Sequence, residues 1–146
     1  MKKILFLFIV CLVFVSCNTN ARNGSDMQTR TEAAVKDHVE ILYFHGKQRC
    51  TTCMAIERNT KDALMKNFAK QIQNGKVVFK VIDISKKENE KIAEQYEVTW
   101  SSLFIVRYKK GQETRKNMTE FAFSNANRSP EAFKAEVVKT IKMMLK

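Results

Sequence analysis

The chain has 146 residues, 45% of them hydrophobic, and sets 26 Lys and Arg against 15 Asp and Glu for a formal charge of +11. That length allows one ordinary domain and not two. Four Gly and one Pro exclude a collagenous or low-complexity chain, no internal repeat is visible, and no Gly-rich fingerprint is present to hold a flavin, a nicotinamide or any other cofactor.

The N-terminus reads as an export signal. Lys2 and Lys3 precede an apolar run over residues 4–15. A membrane-spanning helix needs about 20 such residues, so this run is too short to cross. It ends in Phe14-Val15-Ser16-Cys17, which resembles a bacterial lipoprotein signal in which Cys17 is lipidated and becomes the new N-terminus. The alternative is ordinary cleavage after Ala21 and secretion. The expected organisation is a signal peptide over 1–16, a lipid-anchored tether over 17–37 and a folded domain over 38–146. A flexible tether of that length reaches about 25 Å from its anchor. The expected location is a bacterial cell envelope, facing the periplasm, with the membrane engaged through Cys17.

Within the domain, Val39-Glu40-Ile41-Leu42-Tyr43-Phe44 reads as a buried strand. A helix follows over about residues 50–73, with Met54, Ile56, Ala63, Leu64, Phe68 and Ile72 mainly at helical spacing and Asn74-Gly75 as its stop. Residues 77–84 read as a second buried strand, rich in β-branched side chains. Residues 87–96 form a short charged helix with Ile92 and Ala93 inward. Residues 103–108 and 114–123 flank Lys109-Lys110-Gly111-Gln112 and read as a hairpin. Ser129-Pro130 starts a last helix with Phe133, Val137, Ile141 and Leu145 on one face. The predicted order is strand–helix–strand–helix–strand–strand–helix. This gives an α/β class with a mixed four-stranded sheet, the first two strands parallel, the last two antiparallel, and helices on both faces.

The cysteines carry the chemistry. Cys11 lies in the signal and Cys17 is the lipid site, which leaves Cys50 and Cys53. A disulfide across two residues removes little chain entropy, so it makes a poor staple. Arg49-Cys50-Thr51-Thr52-Cys53 follows the first strand and opens the first helix. Free N–H groups and the helix dipole favour negative charge there, and the thiolate is the nucleophile. Cys50 is therefore expected to attack, and Cys53, deeper in the helix, to resolve.

This arrangement resembles the thioredoxin-like superfamily over about residues 38–146. The strand before C-x-x-C, Val78-Phe79-Lys80-Val81-Ile82-Asp83, Glu94-Gln95-Tyr96-Glu97-Val98 and the hairpin with Gly111 all fall in the expected order. The stretch from Tyr43-Phe44-His45-Gly46 through Cys53-Met54-Ala55-Ile56-Glu57 is similar to small bacterial thioredoxin-like lipoproteins. That group is labelled as a nitrophenyl compound nitroreductase subunit, with some members linked to arsenic-resistance operons. The resemblance implies thiol–disulfide oxidoreductase activity on protein thiols or disulfides. Three family features are missing. Pro130 is the only proline, so Ser101 or Ser102 stands where the family has a cis-proline before the third strand. Tyr43 or Phe44 stands where the family has a buried acid, and Thr51-Thr52 replaces the usual Gly-Pro.

The neighbours of the pair each have two readings. His45 tunes the thiolate or ligates a metal, or else is a half-buried histidine bonded to backbone. Lys47 and Arg49 raise the local potential, or are solvated loop charges. Trp100, Ser101 and Ser102 line the substrate groove, or Trp100 is an edge aromatic. Met54, Met65, Met143 and Met144 read as core filler or ragged helix ends rather than copper ligands. With two histidines and no second cysteine pair a closed four-ligand zinc site is not expected, and neither is a resident metal. Two other functions stay open: a module for Cu(I) or a similar soft metal held by the two thiolates and His45, or a redox subunit passing electrons to a separate nitroreductase. No nucleic-acid partner is expected of an exported protein, and the domain is read as a monomer.

Overall fold

A computed structural model describes residues 37–146, and the signal, the tether and Cys17 lie outside the described residues. The elements are β1 (His38–His45), α1 (Thr51–Gln73), β2 (Val77–Asp83), a single 3-10 turn (Lys87–Asn89), α2 (Glu90–Gln95), β3 (Ser102–Lys109), β4 (Gln112–Asn117), α3 (Thr119–Asn125) and α4 (Pro130–Met144). They build one four-stranded sheet in the order β2-β1-β3-β4. β1 pairs parallel with β2 and antiparallel with β3, and β4 returns antiparallel to β3. The α/β class and the mixed sheet are those predicted, and this connectivity is the thioredoxin-like one.

β1 is buried on both faces, which is why it reads as a continuous apolar run rather than an alternating one. Val39, Ile41 and Tyr43 face a core shared with Ile56, Leu64 and Phe68 of α1 and with Phe133, Val137 and Ile141 of α4. Leu42 and Phe44 face a second core with Ile82, Phe104 and Val106 that is covered by Ala93 of α2 and by Tyr96 and Val98. α2 is only six residues long, and toward the start of β1 the polar side chains on this face pair with one another. Glu40, 8% exposed, accepts from Lys80 Nζ at 2.5 Å, and the His38 ring stacks on Tyr108 at 4.8 Å.

Two expectations are corrected. The strand read over 114–123 ends at Asn117, and residues 119–125 form the extra helix α3. The reason lies in the ladder itself. Met118 N still donates to Leu103 O at 2.8 Å, but the Leu103 N–H is taken by the Thr119 hydroxyl at 3.0 Å instead of a backbone carbonyl. Asn117 Oδ1 meanwhile accepts from Thr119 N at 2.9 Å, an Asx turn that redirects the chain. Phe121 and Phe123, two residues apart, then point different ways: one ring stacks on Phe133, the other packs on Trp100. The second correction concerns two methionines. Met54 and Met65 are 48% and 60% exposed because they fall beside the buried stripe of α1, whereas Met143, 50% exposed, and Met144, partly packed on the core, lie at the end of α4 as expected.

Thr119→Val keeps the side-chain shape and removes the acceptor for a buried N–H. It is expected to cost about 1–3 kcal/mol of stability and to speed hydrogen exchange at the Leu103 amide. An unchanged urea midpoint would show that the hydroxyl does not carry the end of the ladder.

Candidate active site

The site forms where β1 ends and β3 begins, because the antiparallel pairing sets Phe44 opposite Ser102. The loop after β1 leads into α1, and the segment before β3 brings Trp100 and Ser101 alongside. Cys50 is the N-cap of α1, with extended backbone at φ −76° and ψ 168°. Its Sγ accepts from Cys53 N at 3.2 Å, satisfying one of the donors that a helix start leaves free.

The two thiols are free and unequal. Cys50 is exposed and Cys53 is 6% exposed, with their Sγ atoms 2.7 Å apart. A disulfide bond is about 2.05 Å long, so only a small approach separates this pair from closure. The Cys53 thiol also reaches Ser101 Oγ at 3.7 Å. Burial pushes the Cys53 thiol up, but the hydrogen bonds with Cys50 and Ser101 and the charge of Arg49 outweigh it, so the net direction is down.

Behind the sulfurs lies Tyr43, fully buried, whose hydroxyl donates to the Cys53 carbonyl at 2.8 Å. Burial pushes its phenol up to about 12, so it remains neutral and is no substitute for a carboxylate base. The Arg49 guanidinium lies 5.6 Å from the centre of the Tyr43 ring and pairs with the Glu57 carboxylate.

The other expected residues divide. His45 is half-buried and its Nδ1 donates to Gly46 O at 2.9 Å, the backbone-bonded state rather than a contact with sulfur. Lys47 is exposed and makes no hydrogen bond or ion pair among the described residues. Trp100 is 60% exposed and packs on Phe123 at 5.4 Å. Ser101 touches Cys53, whereas Ser102 Oγ donates to Trp100 O at 3.1 Å. Among the described residues no three His, Cys, Asp or Glu side chains gather into a metal site, so His45 does not join the two sulfurs as a third ligand. The peptide bonds of the described residues are trans, the 100–102 segment included.

Sequence reading missed Glu57 and Phe123. Glu57 had a signal: it stands four residues after Cys53, on the same helix face. Phe123 had none, since it was read as part of a strand.

No family model and no curated protein sequence matches this chain. Among solved structures it is similar to the thioredoxin of Trichomonas vaginalis, at 19% identity and a TM-score of 0.47, covering 70% of this chain and 78% of that one. A thioredoxin from Thermus thermophilus gives 14% identity and a TM-score of 0.45, covering 70% of this chain and 73% of that one. Chloroplastic thioredoxin z gives 19% and 0.47, covering 82% of this chain and 91% of that one. These values are too low to carry residue roles or activity across. The thioredoxin-like character of the fold stands on its own strand order and pairing.

Ser101→Ala removes a hydrogen bond that draws the Cys53 thiol down, so that thiol should lose its proton at higher pH. Closure of the disulfide from a mixed disulfide should slow a few-fold at neutral pH, with the rate profile displaced upward in pH. An unchanged profile would show that Ser101 does not act on Cys53.

Proposed function

We propose that the protein is a thiol–disulfide oxidoreductase in which Cys50 attacks and Cys53 resolves. The observation that carries this reading is the pairing of an exposed N-cap thiol with a buried one 2.7 Å away. A substrate disulfide can reach only the outer sulfur. The Cys50 thiolate displaces one substrate sulfur as a thiolate and forms a mixed disulfide. Cys53 then gives its proton to solvent, attacks Cys50 Sγ and releases the second substrate thiolate. The two electrons of the dithiol pass to the substrate, and the protein is left with a Cys50–Cys53 disulfide. The reverse sequence oxidises a substrate dithiol. Ser101 and Arg49 favour the anion at Cys53 on which closure depends.

The substrate class in this reading is a protein thiol or disulfide. Trp100, exposed beside Ser101, provides an apolar surface for the flanking segment. The sequence supports a lipoprotein of the bacterial envelope, anchored through Cys17 and facing the periplasm. The likeness to lipoproteins labelled nitroreductase subunits rests on the stretch from Tyr43 to Glu57 and adds redox coupling to a separate reductase as a narrower version of the same role.

In the reduced protein iodoacetamide should label Cys50 before Cys53. Cys50→Ser should abolish insulin-disulfide reduction, and Cys53→Ser should accumulate a long-lived mixed disulfide in cells. Equal alkylation rates, or faster labelling of Cys53, would overturn the assignment. Separately, Cys17→Ser should release the protein from membranes. Continued detergent-dependent fractionation of that variant would remove the anchor from the reading and leave the chemistry standing.

A further inference from the structure

We propose that Glu57 sets the redox poise of the cysteine pair by competing with the thiolate for Arg49. This rests on the exchange reading above and deepens it. Arg49 immediately precedes Cys50, and its guanidinium lies over the ring of Tyr43, whose hydroxyl binds the Cys53 carbonyl. Glu57 is one helical turn beyond Cys53 and holds Arg49 Nη2 through a carboxylate oxygen. The guanidinium is therefore held by a permanent carboxylate on one side and lies over an aromatic ring on the other, one residue before the cysteine pair whose thiolate its charge favours.

Three features make the competition effective. The side chains of Arg49 and Glu57 are 26% and 30% exposed, so solvent screens them only in part. Arg49 Nε is buried without a hydrogen-bond partner, so Glu57 does not satisfy the whole guanidinium. The positive charge of Arg49 already acts on Cys53 in the direction of the thiolate. Glu57 does not touch the reacting sulfurs in this account. It is a positioning residue that decides how much of the Arg49 charge remains for them.

The consequence follows from the redox couple. The disulfide takes up two electrons and two protons to give two thiols. Any interaction that favours the thiolate stabilises the reduced form and makes the pair a stronger oxidant. Glu57 should therefore keep the pair more reducing than Arg49 alone would. A purely structural ion pair makes a different prediction, because removing either partner would loosen the same loop and shift the poise the same way.

The test uses the full chain with Glu57→Gln, Arg49→Gln and the double variant, each checked by urea unfolding. Two readouts are taken: the pH dependence of iodoacetamide alkylation of Cys53 in a Cys50→Ser background, and the equilibrium of the intact pair with glutathione. Glu57→Gln should lower the alkylation midpoint and move the glutathione equilibrium toward the dithiol about three- to tenfold, the size of one partly screened charge. A tenfold change corresponds to about 30 mV. Arg49→Gln should shift both readouts the opposite way. In the Arg49→Gln background the further change Glu57→Gln should have less than about a twofold effect, since the two residues act as one unit.

Shifts of the same sign in the two single variants, or a Glu57→Gln effect that survives without Arg49, would overturn the proposal. Should Arg49→Gln fail to fold, a raised alkylation midpoint in Glu57→Gln alone does the same. If the wild-type pair never equilibrates with glutathione, the exchange reading fails, while the alkylation profiles still decide the role of the ion pair.

Discussion

The hydrogen bond from Cys53 N to Cys50 Sγ, at 3.2 Å, is the contact around which the site is organised. A helix start leaves its first N–H groups without partners, and Ser, Thr, Asp or Asn usually supplies the acceptor. Here a thiol does so. The Cys50 sulfur is thereby turned toward Cys53 while the residue stays exposed, and the two sulfurs are brought together. Sulfur is a weak acceptor, so the start of α1 needs further support. Tyr43 gives it from the sheet below, through its bond to the Cys53 carbonyl. The unequal exposure of the two cysteines comes from the same arrangement: Cys50 caps the helix and Cys53 lies inside its first turn against the core.

The sheet explains why the other half of the site stands where it does. β1 lies between β2 and β3, and its C-terminal end is set against the N-terminal end of β3. Two loops distant in sequence therefore meet at one edge. A clamp built on Tyr96 steadies the second loop: its hydroxyl donates to Glu113 at 3.0 Å, and the Arg115 guanidinium sits 4.0 Å from its ring centre. Arg115 also donates to Gln95 O at 2.8 Å, tying β4 to the end of α2 just before Val98, Thr99 and Trp100. Burial pushes the Tyr96 phenol well above its ordinary range, so it stays a donor at any physiological pH. From the other side α3 braces Trp100 through Phe123.

Charge near the sulfurs is supplied without a buried acid. A neutral phenol, a hydroxyl and a guanidinium already matched to a carboxylate surround Cys53. The Ser101 hydroxyl and the Arg49 charge favour the thiolate, the Tyr43 hydroxyl is engaged by the Cys53 carbonyl, and none of the three is a base at neutral pH. The thiol proton must then leave through solvent at the exposed side of the pair. That route fits a site open at Cys50 and closed behind Cys53.

The sequence by itself determined what depends on local pattern. The apolar run of β1, the stop at Asn74-Gly75, the β-branched β2 and the Ser129-Pro130 helix start are short-range signals, and each element formed within a residue or two of its expected bounds. The position of Cys50 and Cys53 at the opening of α1 was legible for the same reason. The tertiary structure alone decided which side chains meet them. Ser101 reaches Cys53 from 48 residues away through a strand pairing, and no local pattern encodes that distance. The 114–123 segment had enough alternation to pass for a strand. It became partly helix because the partner on β3 ran out and a threonine hydroxyl took the last N–H. Arg49 could equally have been a solvated loop charge. Its ion pair with Glu57 and its place over Tyr43 exist only once β1 and α1 are packed together, because burial and opposing charge are properties of the assembled core and not of the chain.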